Sequence, residues 1–244
     1  ELVPHTLIGD LKAMDAKVVF NAVHGLYGED GRLQAILEAA GMPYTGCGVL
    51  SSAVAMDKVA TKRFLQAAGI STPDCLILQK REAEDLEVIK ARILERFGNN
   101  PVIKAASQGS SIGVYMIKDE SEIINALEEC FKLCDHVLVE ECITGKELTV
   151  SIMEEAGKPV VLPIIWIAPH SGAYDYHSKY TKGATDYHCP APLSKEVTDY
   201  IQGLARETYH ILDLNGVARV DIMYDEAKNV GYVLEANTVP GMTG

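Results

Sequence analysis

No stretch of this chain stays apolar for the about 20 residues that a membrane-spanning helix needs. The longest apolar run, Val160 to Pro169, is interrupted by Pro163. No basic segment leading into an apolar one opens the sequence, so a cytoplasmic protein with no membrane partner is expected. Basic residues are scarce: 22 Lys and Arg stand against 34 Asp and Glu, a formal charge of −12. Nucleic acid is thereby excluded as the main partner, because gripping a phosphate backbone takes clustered cations. A small anion can still bind where local cations overcome the field of the whole. Cysteine is thin, 6 in 244 residues, with no C-x-x-C pair. That excludes a disulfide scaffold and leaves free, mostly buried thiols as the expectation. The common nucleotide fingerprints are missing as well. The only Gly-Lys before a polar residue, Gly145-Lys146-Glu147, lacks the Ser/Thr of a Walker A loop, and no G-x-G-x-x-G occurs.

What is present describes a packed globular chain, 48% hydrophobic and 23% charged, of a length for one large domain or two small ones. Lys17 to Val23 reads as a short buried strand, followed by a Gly-rich loop, His24 to Gly31, and a helix, Arg32 to Ala40, closed by Gly41. Ser51 to Ala68 reads as one helix capped by Ser51 or Ser52, and Glu82 to Phe97 as an amphipathic one. Strands are expected at Pro101–Lys104, Ile112–Ile117 and Val137–Glu140, with the helix Ser121–Leu133 among them. Further strands follow at Glu147–Glu154 and Val160–Ile167, then a helix from Ser194 to Leu214 with Ser194 as its cap. Val217–Tyr224 and Val230–Asn237 flank a turn and form an antiparallel hairpin.

The hairpin is the most informative local feature. Arg219 and Asp221 share a face of one strand and Glu235 and Asn237 a face of the other, with Asp221 roughly opposite Glu235. Bare carboxylates among Val, Ile and Leu need partners. Oxygen donors with no His or Cys favour Mg²⁺ or Mn²⁺; a structural Arg219–Asp221–Glu235 salt bridge on a solvated face is the other reading. Lys104 ends an apolar strand, and the turn Ser107 to Gly113 follows. Gly109, Ser110 and Ser111 offer donors to phosphate oxygens, with Lys104 as the cation, or the turn is a plain hairpin. The polar stretch Tyr174 to Cys189, with Lys179 and Lys182, is either a lid or surface packing. His24, after an apolar run, is either catalytic or structural.

Taken together, these segments resemble the D-alanine–D-alanine ligases of the ATP-grasp superfamily. The matching runs are HGLYGEDG (24–31), PYTGCGVLSSAVAMDK (43–58), IKAASQGSSIGV (103–114), EECITGKELTV (140–150), YDYHSKY (174–180) and ARVDIMYD…LEANTVPGMT (218–243). The resemblance implies an α/β (α+β) ATP-grasp fold with the nucleotide between two antiparallel β-sheets. It also implies a partial N-terminal α/β domain over 1–52, a central lid over 53–141 and a C-terminal part over 142–244. Lys58, Lys104 and Lys179 match phosphate-binding lysines, and Ser111 the loop over the phosphates. Glu140, Glu141 and Ile143 fall on the adenine hinge, mostly backbone contacts, and Glu147 on the carboxylate at the ribose. Asp221, Glu235 and Asn237 match the ligands of two Mg²⁺ (or Mn²⁺), with Glu235 bridging. Arg219 and the Gly241 N–H match the oxyanion site. Ser110 and Tyr180 match residues that order the loop and the amino-acid sites, and His24 lies in the first-substrate region.

The implied activity is ATP-dependent joining of two D-alanines through an acyl phosphate, for peptidoglycan precursors, with a homodimer possible and Tyr180 pointing to a dipeptide product. Ala105 stands where the family usually has proline. A first Gly-rich loop with its Glu, the serine after PGMT and a closing helical segment have no counterpart, so a truncated ligase is expected. An ATP-grasp ligase for other amino acids and a non-catalytic nucleotide-binding fragment are the alternatives.

Overall fold

The structure is a computed structural model that describes residues 5–83, 85–109, 112–170 and 184–241. Two antiparallel sheets organise it. The first has the order β1-β4-β2-β3, from β1 (Cys75–Gln79), β2 (Val102–Ala105), β3 (Val114–Met116) and β4 (His136–Glu140). Helices α5 (Leu86–Phe97) and α6 (Glu122–Leu133) cover one face of it. Ile93, Ile103, Ile123, Leu127, Val137 and Val139 form that core. The alternation of a strand then sends Lys104, Leu138 and Glu140 to the other face, where Val59 packs against Leu138.

The second sheet has the order β10-β9-β5-β7-β8, with β6 also pairing β5. Its strands are β5 (Lys146–Glu155), β6 (Lys158–Val161), β7 (Ile165–Pro169), β8 (Thr185–His188), β9 (Val217–Asp225) and β10 (Val230–Asn237). Helix α7 (Lys195–Ile211) starts at Ser194, whose hydroxyl accepts the Val197 N–H, and covers the apolar face. Leu148, Val150, Ile152, Val220, Ile222 and Val233 bury themselves there. Non-strand residues 141–145 carry the chain from one sheet to the other. Gly145 leaves no room for a side chain, since a Cβ would lie 2.1 Å from the Tyr224 carbonyl.

Ahead of the sheets come α1 (Leu7–Ala13), α2 (Arg32–Ala39), α3 (Val49–Met56) and α4 (Lys58–Ala67). Val54, Ala55 and Leu65 of α3 and α4 join the core of the second sheet. The single helix expected over Ser51–Ala68 is two. The chain turns extended at Asp57 (φ −90°, ψ 105°), whose carboxylate accepts the Ala60 N–H and caps α4. The strand expected at Lys17–Val23 is reduced to one bridge, Val19 to Tyr44, and Val18 and Phe20 are exposed. Val160–Ile167 is likewise not one strand; Leu162–Ile164 separate β6 from β7. β1 had no sequence expectation, and residues 185–188 of the expected polar loop are β8. All six thiols are free, but only Cys47 and Cys130 are buried, fewer than expected. No helix among the described residues is long and apolar enough to cross a membrane.

Leu148 is fully buried on the apolar face of β5. Leu148→Ala is expected to cost about 2–5 kcal/mol, read as a lower guanidinium midpoint at nearly constant slope. A loss below about 1 kcal/mol contradicts a core centred on this face.

Candidate active site

The polar residues of the second sheet occupy the face that the core does not use. Thr149 of β5 pairs with Asp221 of β9, and Asp221 pairs with Glu235 of β10, so three side chains stand abreast across three strands. One step along lie Ser151, Arg219 and Asn237, again in register. A β-bulge between Val233 and Glu235 makes this possible. Val233 pairs with Ile222 in the core, and Leu234 is the extra residue. In a regular ladder Leu234 would oppose Asp221, and Glu235 would point into the core beside Val220.

Asp221, 7% exposed, is held from several sides. It accepts from Arg219 Nε (2.8 Å) and Nη2 (2.7 Å), from the Thr149 hydroxyl (2.5 Å) and from the Asn237 amide (3.0 Å). Glu235 faces a different cation, Lys58, whose Nζ lies 3.4 Å from its Oε2. Of the alternative reading, a structural Arg219–Asp221–Glu235 salt bridge, the Arg219–Asp221 pair is present, on a partly buried face. The donor set itself, two carboxylates and an amide oxygen on neighbouring strands, has the chemistry of a hard-cation site.

Lys58 opens α4 and also donates to the Gln108 carbonyl (2.7 Å), tying the Gly-Ser turn to the hairpin. Across the cleft, Lys104 Nζ lies 2.5 Å from Glu140 Oε2, and Lys62 Nζ 2.7 Å from Glu140 Oε1. Burial alone would raise the Glu140 carboxyl, but the attraction of Lys104 and Lys62 outweighs it and holds the group below its ordinary value. Burial likewise opposes the charge on Lys104, and Glu140, Glu235 and Glu147 together more than restore it. A cleft open to solvent lies beside the hairpin, lined among others by Lys58, Gln108, Gly109, Glu235 and Asn237.

Sequence comparison gives this arrangement its place. Residues 64–244 match the family described as D-ala D-ala ligase C-terminus, and residues 6–47 the family described as D-ala D-ala ligase N-terminus. The chain belongs to the D-alanine–D-alanine ligase family. The D-alanine–D-alanine ligase of Carboxydothermus hydrogenoformans is 41% identical over 233 residues, covering 96% of this chain and 74% of that one. Among solved structures, the Bacillus anthracis ligase complexed with ATP superposes with a TM-score of 0.80 at 35% identity, over 99% of this chain and 74% of that one. The Coxiella burnetii ligase gives 0.77 at 34%, over 94% of this chain, which spans 61% of that one.

Of the expected site residues, Lys58, Glu235 and Asn237 line the cleft, Asp221 and Arg219 join Asn237 through hydrogen bonds, and Lys104 feels Glu235 and Glu147. Glu141 and Ile143 lie on the non-strand link between the sheets, where the Glu141 N–H donates to the Asp74 carbonyl (3.0 Å). Glu140 is different: its side chain is buried in the lysine pair. Ser110, Ser111, Lys179 and Tyr180 lie outside the described residues, and Gly241 is the last residue described. His24 is exposed, its Nδ1 3.0 Å from the Val239 carbonyl.

Two residues had no sequence expectation. Lys62 is one; its spacing of four from Lys58 on a helix puts the two on one side and was the available signal. Glu29 is the other. It lines the cleft, accepts the Gly25 N–H at 2.5 Å and is raised above its ordinary 4.5, chiefly by burial. The Gly25 N–H, His24 and Arg219 counter that shift, and Glu235 adds to it. A carboxyl raised in the fold lowers stability once it ionises; the cost is absent below the unfolded value and complete above the folded one. Glu29→Gln is therefore expected to raise the melting temperature at pH 7, with the gain vanishing near pH 4. Equal shifts at both pH values contradict the assignment.

Proposed function

We propose that the chain catalyses ATP-dependent joining of two D-alanines, releasing ADP and phosphate. The supporting observation is the pairing of opposed faces. Lys58 reaches from α4 to within 3.4 Å of Glu235, which stands in register with Asp221 on the hairpin, and Lys104 of the first sheet feels Glu235 and Glu147 of the second. In this reading the expected lobes 53–141 and 142–244 hold the nucleotide between them, with α3 and α4 bridging.

Lys58 and Lys104 meet the phosphates. The backbone of Glu141 to Ile143, outside any strand, is left for the base, and Glu147 reaches the ribose. Asp221, Glu235 and Asn237 would hold Mg²⁺ or Mn²⁺, which when bound neutralises phosphate charge. A carboxylate oxygen of the first D-alanine attacks the γ-phosphorus, and the bond to the ADP oxygen breaks. The lysines balance the charge that moves to ADP. The amine of the second D-alanine then attacks the acyl carbon, phosphate leaves, and the amine gives up a proton. Arg219 is placed for the oxyanion, each such donor contributing about 2.7–4 kcal/mol.

ADP release should require both D-alanine and a divalent cation, and product analysis should show the dipeptide. Across a panel of D- and L-amino acids, a different preferred pair would overturn the substrate assignment. Glu235→Gln is expected to lose more than about 100-fold in ADP release, beyond the usual cost of changing a metal's outer partner. Activity within about tenfold of the parent contradicts the ligand role of Glu235.

A further inference from the structure

Two buried lysines share one buried carboxylate where α4, β2 and β4 meet, and their surroundings differ. The Lys62 ammonium has three partners, one by ion pairing and two by hydrogen bonds. These are Glu140 Oε1 at 2.7 Å, the Thr72 hydroxyl at 2.9 Å and the Pro73 carbonyl. Thr72 in turn donates to the Val233 carbonyl at 2.8 Å, next to the bulge that sets Glu235. The Lys62 side chain is 2% exposed. Lys104, 13% exposed, meets Glu140 Oε2 at 2.5 Å and no other acceptor among the described residues. Lys62 is thus enclosed by the protein, while Lys104 is the more open of the two and has Glu140 as its ion-pair partner.

The charges decide what this arrangement does. Glu140 with Lys104 alone would form a neutral, closed pair, and pulling such a pair apart in a low-dielectric site is costly. With Lys62 added, two cations share one anion, and the trio's surplus positive charge faces Glu235 and Glu147 on the cleft side. We propose that Lys62 is a positioning residue: it neutralises Glu140 so that the charge of Lys104 stays available to the anionic ligand of the cleft. The inference rests on the nucleotide reading above and assigns Lys62 no contact with the ligand.

The test compares adenosine and ATP binding by calorimetry, with magnesium present throughout. In Lys62→Met, ATP affinity should fall roughly 10–100-fold, the scale for an outer partner of a binding group. Adenosine affinity should stay within about twofold. Lys62→Arg, which keeps the charge, should bind ATP nearly as the parent does. Lys62→Met with Glu140→Gln removes the anion that would otherwise close on Lys104 and should recover most of the ATP-specific loss. Equal losses for adenosine and ATP in Lys62→Met overturn the role of Lys62. So does a folded double variant whose ATP-specific loss is no smaller. A parent protein that binds no ATP overturns the nucleotide reading itself.

Discussion

The register of β5, β9 and β10 is the constraint on which the rest depends. Side chains alternate along a strand, so one sheet can bury Leu148, Val150, Val220 and Ile222 against α7 and present Thr149, Asp221 and Arg219 on its back. The third strand needs a correction to join them. The bulge at Leu234 supplies it, carrying Glu235 to the polar side while Val233 and Ala236 remain in the core. The Ser71–Thr72 segment secures the backbone there: the Val233 N–H donates to the Ser71 carbonyl, and the Val233 carbonyl accepts from Thr72. A metal-type donor set and a hydrophobic core are therefore two faces of a single hairpin.

The second theme is concentration of charge. The whole chain carries −12, yet Lys58, Lys62, Lys104 and Arg219 gather around one cleft. Each is matched by a carboxylate: Lys58 by Glu235, Arg219 by Asp221, Lys62 and Lys104 by Glu140. Arg219 is held by two hydrogen bonds to Asp221, which leave three of its five N–H groups outside that pair.

Local patterning made much of this legible. The hairpin could be read from period-two placement of Arg219, Asp221, Glu235 and Asn237, and the Ser194 cap from its position before an amphipathic run. Six ordered motifs carried the family. What stayed hidden depends on contacts distant in sequence. The break at Asp57 answers to capping of α4 within a run otherwise suited to one helix. Lys17–Val23 has the composition of a buried strand, yet only Val19 finds a bridge. Lys62 looks like an ordinary surface lysine of an amphipathic helix; its burial comes from Glu140, 78 positions away, and from the 72–73 segment. The raised Glu29 carboxyl follows first from burial, with Glu235 adding to it, and no spacing rule shows either.

The central claim is that the two sheets clasp a triphosphate between lysines on one side and hairpin oxygens on the other. A crystal structure of the protein with Mg²⁺ and a non-hydrolysable ATP analogue tests it most directly. The account expects phosphate oxygens on Lys58 and Lys104, and the cation on Asp221, Glu235 and Asn237. Nucleotide bound elsewhere, or a cation seated away from those three side chains, would contradict it.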